Sequence, residues 1–69
     1  PEEALQAYRA AGRQPFRHAA SWTNLAALGI RLGDADGARA HAWRAVQLDR
    51  QSSDAWVNFG VASWHLGQR

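Results

Sequence analysis

The sequence predicts an all-α fold built from a repeated helical hairpin, and three observations carry that expectation. Several residue types recur at one offset. Trp22 and Asn24 return as Trp56 and Asn58, and Leu32-Gly33 returns as Leu66-Gly67, each displaced by 34 positions. Ala4 and Ala11 return as Ala38 and Ala45 at the same offset, and Glu2 returns as the acidic Asp36. A period shared by several residue types marks an internal repeat, and units of this length stack into superhelical scaffolds. Apolar and small residues also fall at helical spacing between glycine, proline and polar breaks. No segment alternates as a strand would.

The first helix is expected from Glu2 to Arg13. Pro1 stands where a first turn tolerates proline, Glu2 and Glu3 face the positive end of the helix dipole, and Gly12 and Pro15 close the element. A second helix is expected from Ala20 to Leu32, with Trp22, Leu25, Ala26 and Gly29 on one face. Gly33 then offers a left-handed terminating residue, and Asp34 or Asp36 a cap for the next helix. The third helix, Ala35 to Leu48, carries Ala38, Ala42, Ala45 and Val46 along its inner stripe and ends at Asp49 and the polar run Arg50-Gln51-Ser52-Ser53. Ser53 or Asp54 opens a fourth helix that stops near Gly67. Connections this short make consecutive helices pack antiparallel.

Composition narrows the function classes. At 69 residues the chain is near the lower limit for a single core, and with 46% hydrophobic and 20% charged residues it is globular in character. All eight basic residues are arginine, yet they are scattered and the net charge is only +2. That is a poor electrostatic footprint for nucleic acid, which is not expected as a partner. Cysteine is absent, which removes disulfides and thiolate metal sites and leaves the compartment open. No apolar run approaches the roughly 20 residues of a membrane span, so no membrane partner is expected.

The two copies read Trp22-Thr-Asn-Leu25-Ala26 and Trp56-Val-Asn-Phe59-Gly60, with Ala38 and Ala45 in the following helix and Ala4, Tyr8 and Ala11 one period earlier. In this the chain resembles the tetratricopeptide repeat, over essentially its whole length. The resemblance implies helix-turn-helix units stacked as a right-handed solenoid. Residues 1–18 would be the second helix of a preceding unit, 19–52 one full unit and 53–69 the first helix of a following one. The chain is therefore expected to be a piece of a longer array, with complementary open ends that favour head-to-tail self-association. Patches including Tyr8, Trp56, Phe59 or Ala11 would be exposed at those ends. Within the pattern, Ala26, Gly60, Ala4 and Ala38 are expected at close helix approaches, with Trp22 and Trp56 buried in the wider spaces. Three departures stand out. Gly29 and Ser63 occupy positions where the family usually has an aromatic, so a void or shallow pocket is expected at each. Arg50 replaces a frequent proline. Ala42 stands where the earlier copy has Tyr8.

The resemblance also places function on the first helix of each unit, which lines the concave face. The stripe there is Ala20, Thr23, Asn24, Ala27, Ile30 and Arg31, repeated as Asp54, Val57, Asn58, Val61, Trp64 and His65. It describes a groove with an apolar floor, two amides and a cationic or titratable rim, suited to an extended peptide or a partner helix. Asn24 and Asn58 can donate and accept at once, and matching asparagines form a backbone-binding ladder in peptide-binding members of the family. The alternative is that they cap or bridge locally. Trp64 is either an aromatic anchor or a cover for a further helix. Arg31 and His65 could hold an acidic group, and Trp43 belongs to the outer face.

No catalytic constellation is visible. His18, His41 and His65 lack the spacing of a metal pair, no serine sits in a nucleophile elbow, and no glycine loop could cradle phosphate. Asp34-Ala-Asp36-Gly37 lacks the closing ligands of a calcium loop and reads as a capping turn. The expectation is a non-enzymatic protein-interaction scaffold without cofactor or metal. The alternative is the substrate-recruiting arm of a larger enzyme such as a glycosyltransferase, with its chemistry outside this segment.

Overall fold

Helix breaks fall where glycine and the polar caps place them. The computed structural model describes residues 2–68, and among these the regular structure is helical throughout: α1 (Glu2–Ala11), α2 (Ala19–Arg31), α3 (Ala35–Leu48) and α4 (Ser53–Gly67). The expected first-turn proline, Pro1, lies outside the described residues, as does Arg69 at the end of the last proposed unit. α1 ends two residues earlier than expected, at Ala11, because Arg13 and Gln14 close tighter turns onto Ala10 and Ala11.

The α2–α3 turn shows how few residues a sharp reversal needs. Gly33 adopts φ +83°, and the amides of Gly33 and Asp34 bond back to Ile30 and Gly29 at 3.2 and 2.8 Å. This pairing satisfies the last carbonyls of α2. The Asp34 carboxylate then accepts the amide of Gly37 at 3.1 Å, capping α3. α4 opens at Ser53 as expected, and its cap is Ser52, whose hydroxyl accepts the amide of Ala55 at 3.3 Å.

The molecule is a slab with principal extents of 33 × 29 × 13 Å. Its thickness is barely more than one helix with its side chains, about 10–12 Å. Every helix therefore keeps a solvent face, and the buried set is mostly small: Ala26, Ala35, Ala38, Ala42, Ala45, Ala55 and Ala62 beside Tyr8, Trp22, Leu25 and Val46. Small side chains let α3 pack closely against both α2 and α4, whereas α1 makes the sparsest approach, to α2 alone.

Tyr8 explains why α1 stands off. Its ring is 2% exposed and occupies the space beside Gly29, where a methyl group would come within 2.5 Å of the Tyr8 hydroxyl. Gly29 therefore leaves no void, contrary to expectation. Tyr8 is not an exposed end residue either.

Three further expectations fail together at the outer helices. Trp22 is buried at 4% exposure, but Trp56 is 45% exposed. Gly60 is exposed, and among the described residues an added methyl would meet nothing within 4 Å beyond its chain neighbours and its own helix backbone, so no close approach requires it. Ala4 on α1 is only half-buried. The physical reason is that α2 is packed by α1, α3 and α4, whereas α4 is packed by α3 and α2 alone and α1 by α2 alone.

Candidate functional site

Two candidate surfaces emerge, one on the α2–α4 side and one on the α3–α4 side. On the first, Asn58 of α4 donates its amide to the Thr23 carbonyl of α2 at 3.0 Å, and the Thr23 hydroxyl donates back one turn to the Ala19 carbonyl at 2.8 Å. This bond ties α4 to α2. It also occupies half of an amide that a ligand ladder would need free: Asn58 is half-buried and not directed wholly to solvent.

Asn24 is exposed and lies in a separate shallow hollow of about 310 Å³ with Phe16, Ser21, Leu25 and Leu28. The two asparagines thus occupy equivalent positions but different surroundings. Ile30 and His65 do come together, across a hollow of about 240 Å³ closed by Gly33 and Ala35. Along α4, Val57, Val61 and Trp64 are all exposed, with Trp64 at 62%. Their spacing of four and three residues places them on one helical face. His65 meets Trp64 edge-on at 5.2 Å, holding the indole at the rim. Ala27 is half-buried and Arg31 exposed.

The second surface joins Trp56 and Phe59, expected in an exposed end patch, to Trp43, which the sequence pattern does not place with them. Trp43 of α3 lies against Phe59 at 5.5 Å and Trp56 at 6.5 Å, and Trp56 meets Phe59 edge-on at 6.2 Å. Arg39 stacks over Phe59 at 5.2 Å and donates to the Ser63 hydroxyl at 3.2 Å. A cleft of about 400 Å³ opens here, bounded by Asp36, Arg39, Ala40, Trp43, Phe59 and Leu66. The small Ser63, expected to leave a shallow pocket, is held by Arg39 beside this cleft. The sequence does carry a signal: Trp56 and Phe59, three apart on one helix, together with an unexplained Trp43.

Among the described residues no cluster of His, Cys, Asp or Glu could hold a metal ion, and no helix is long and apolar enough to cross a membrane. Comparison with known proteins finds no matching family model, no similar curated protein and no similar solved structure.

Proposed function

We propose that this chain is a non-catalytic interaction module of the tetratricopeptide-repeat kind, and that it takes an extended peptide or partner helix along α4. The observation that carries the reading is the exposed row Val57, Val61 and Trp64, braced beside α2 by the Asn58–Thr23 bond. Exposed apolar side chains in a row on a rigid helix bury area at little ordering cost, and an aromatic at the end of the row is the usual energetic anchor. Arg31 supplies a polar contact at the side and His65 one at the rim, while Asn24 lies in its separate hollow. The unit assignment is supported by the two indoles: Trp22 donates to the Phe16 carbonyl at 3.0 Å and Trp56 to the Arg50 carbonyl at 2.8 Å, the same bond one period apart.

The test is to pan a displayed library of random peptides against the chain. Selected peptides are expected to lose at least about tenfold in affinity on Trp64→Ala with the melting temperature nearly unchanged, as for an exposed anchor. A library that yields no binder, or binders indifferent to Trp64, sinks the reading.

The aromatic α3–α4 face supports a second contact, with another copy of the chain. Because Tyr8 is already used internally, this association rests on Trp43, Trp56 and Phe59 and is weaker than two complementary open ends would give. Sedimentation is expected to show concentration-dependent dimers or oligomers that Trp43→Ala abolishes. A monomer at millimolar concentration overturns it.

A further inference from the structure

α1 is held against the rest of the molecule by a few interlocked rings, and one of them is a histidine, which can take up a proton. His41 lies in the middle of α3. Its ring stacks on Trp22 of α2 at 5.5 Å with planes 24° apart, and meets Tyr8 of α1 edge-on at 5.6 Å. The end of α1 closes over it so tightly that a methyl group on Gly12 would come within 3.0 Å of the imidazole Cε1. Among the described residues the His41 Nδ1 is buried with no hydrogen-bond partner.

We propose that His41 is an acid-sensitive latch whose protonation releases α1 from the α2–α3 hairpin. As a neutral ring, His41 serves as an aromatic plate between Tyr8 and Trp22. As an imidazolium it would carry a second N–H, and Nδ1 has no hydrogen-bond partner among the described residues while α1 is docked. A buried donor left unpaired, on a charged ring, carries a large desolvation cost. The stack on Trp22 does not compensate, because the Arg44 guanidinium already lies 4.8 Å from the centre of the same indole.

The charged groups around the ring divide. Arg44, three residues along α3, repels a second cation, and Asp34 at the α3 cap attracts one. Tyr8, facing from α1, stays neutral because burial and then the Asp34 carboxylate raise its pKa. Trp22, facing from α2, does not titrate. Burial first and Arg44 second outweigh Asp34, and the His41 pKa is lowered from the usual 6.5.

When α1 leaves, the ring is hydrated and its affinity for a proton returns toward normal, so acid favours the released state. Docking is therefore complete above about 6.5 and weakens as pH falls from there toward the lowered value, by at most about tenfold per pH unit for one proton. Release of α1 precedes general unfolding because α2, α3 and α4 pack closely on one another while α1 touches α2 alone along the backbone.

The experiment is a nuclear magnetic resonance titration of the full chain from pH 8 to pH 5, with amide exchange read at each point. The carbon-bound ring protons of His41 are expected to titrate below the usual 6.5. Protection factors in α1 should fall up to about tenfold per unit below pH 6.5, while those in α3 hold. Titration of His41 at the usual 6.5 or above, flat α1 protection, or simultaneous loss in α1 and α3 would each overturn the latch. His41→Phe keeps a ring in place without the proton and should flatten the α1 response; a response that persists overturns the proposal. If that variant does not fold, Arg44→Gln should move the His41 midpoint upward and shrink the acid loss, and an unmoved midpoint also overturns it.

Discussion

α2 and α4 carry the same four-position pattern and meet different fates. Trp22, Leu25, Ala26 and Gly29 are all buried, whereas Trp56 and Gly60 are exposed and Phe59 and Ser63 half-buried. The local geometry is nonetheless preserved, since each indole N–H reaches the carbonyl six residues earlier, at 3.0 and 2.8 Å. Orientation of a side chain is thus a property of its own turn and cap. Burial is a property of how many helices flank it, and α2 has one more flanking helix than α4. The same indole is a core residue in one copy and part of an exposed aromatic face in the other.

The largest effect expected from this contrast is on stability. Trp22→Ala should cost about 3–5 kcal/mol, the range for removing a buried indole and leaving a cavity. A domain this small has only about 5 kcal/mol in total, so the variant should be close to unfolded. Trp56→Ala should cost about 1–2 kcal/mol, because a half-exposed ring loses part of the transfer energy and leaves no closed cavity. Urea unfolding followed by far-ultraviolet dichroism gives both values. Equal costs would mean that α4 is covered in solution.

The glycine pair sharpens the comparison by changing sign. Gly29→Ala should destabilise by about 1–3 kcal/mol, since overpacking there displaces the Tyr8 ring. Gly60→Ala meets open space on an exposed helix and should stabilise by about 0.5–1 kcal/mol through reduced freedom of the unfolded chain. Two melting curves decide it. Shifts in the same direction would break the account of why α1 stands off while the far side of α4 stays open.

The asparagines give the smallest contrast. Asn58→Ala removes a half-buried hydrogen bond to Thr23 and should cost about 1 kcal/mol. Asn24→Ala, at an exposed position, should stay within about 0.5 kcal/mol. If the two costs are equal, Asn58 is not bracing α2 against α4.

Much of the fold is legible in the chain, because caps, glycines and helical spacing act within a few residues of one another. Gly33, Asp34 and the Asp49–Ser52 polar run set the turns where expected, and Trp22, Leu25 and Ala26 are buried on the face that their spacing defines. The candidate site is less legible. Val57, Val61 and Trp64 fall on one exposed face as their spacing implies, but nothing near Asn58 in sequence reveals that its amide crosses to a carbonyl 35 residues earlier. The aromatic face is hidden for a similar reason. Trp43, Trp56 and Phe59 come from two helices, and their meeting depends on how closely α3 and α4 approach.

The set of helices, their order and the direction in which each side chain leaves its helix are determined by the sequence alone. These follow from backbone hydrogen bonding and steric rules that act over one or two turns. The tertiary structure decided which of two equivalent indoles is enclosed, that Tyr8 fills the gap at Gly29, and that His41 is wedged between α1 and α2. Each of those outcomes depends on the distance between helix axes. That distance is set by the sum of the side chains on both facing surfaces, so no single segment contains it.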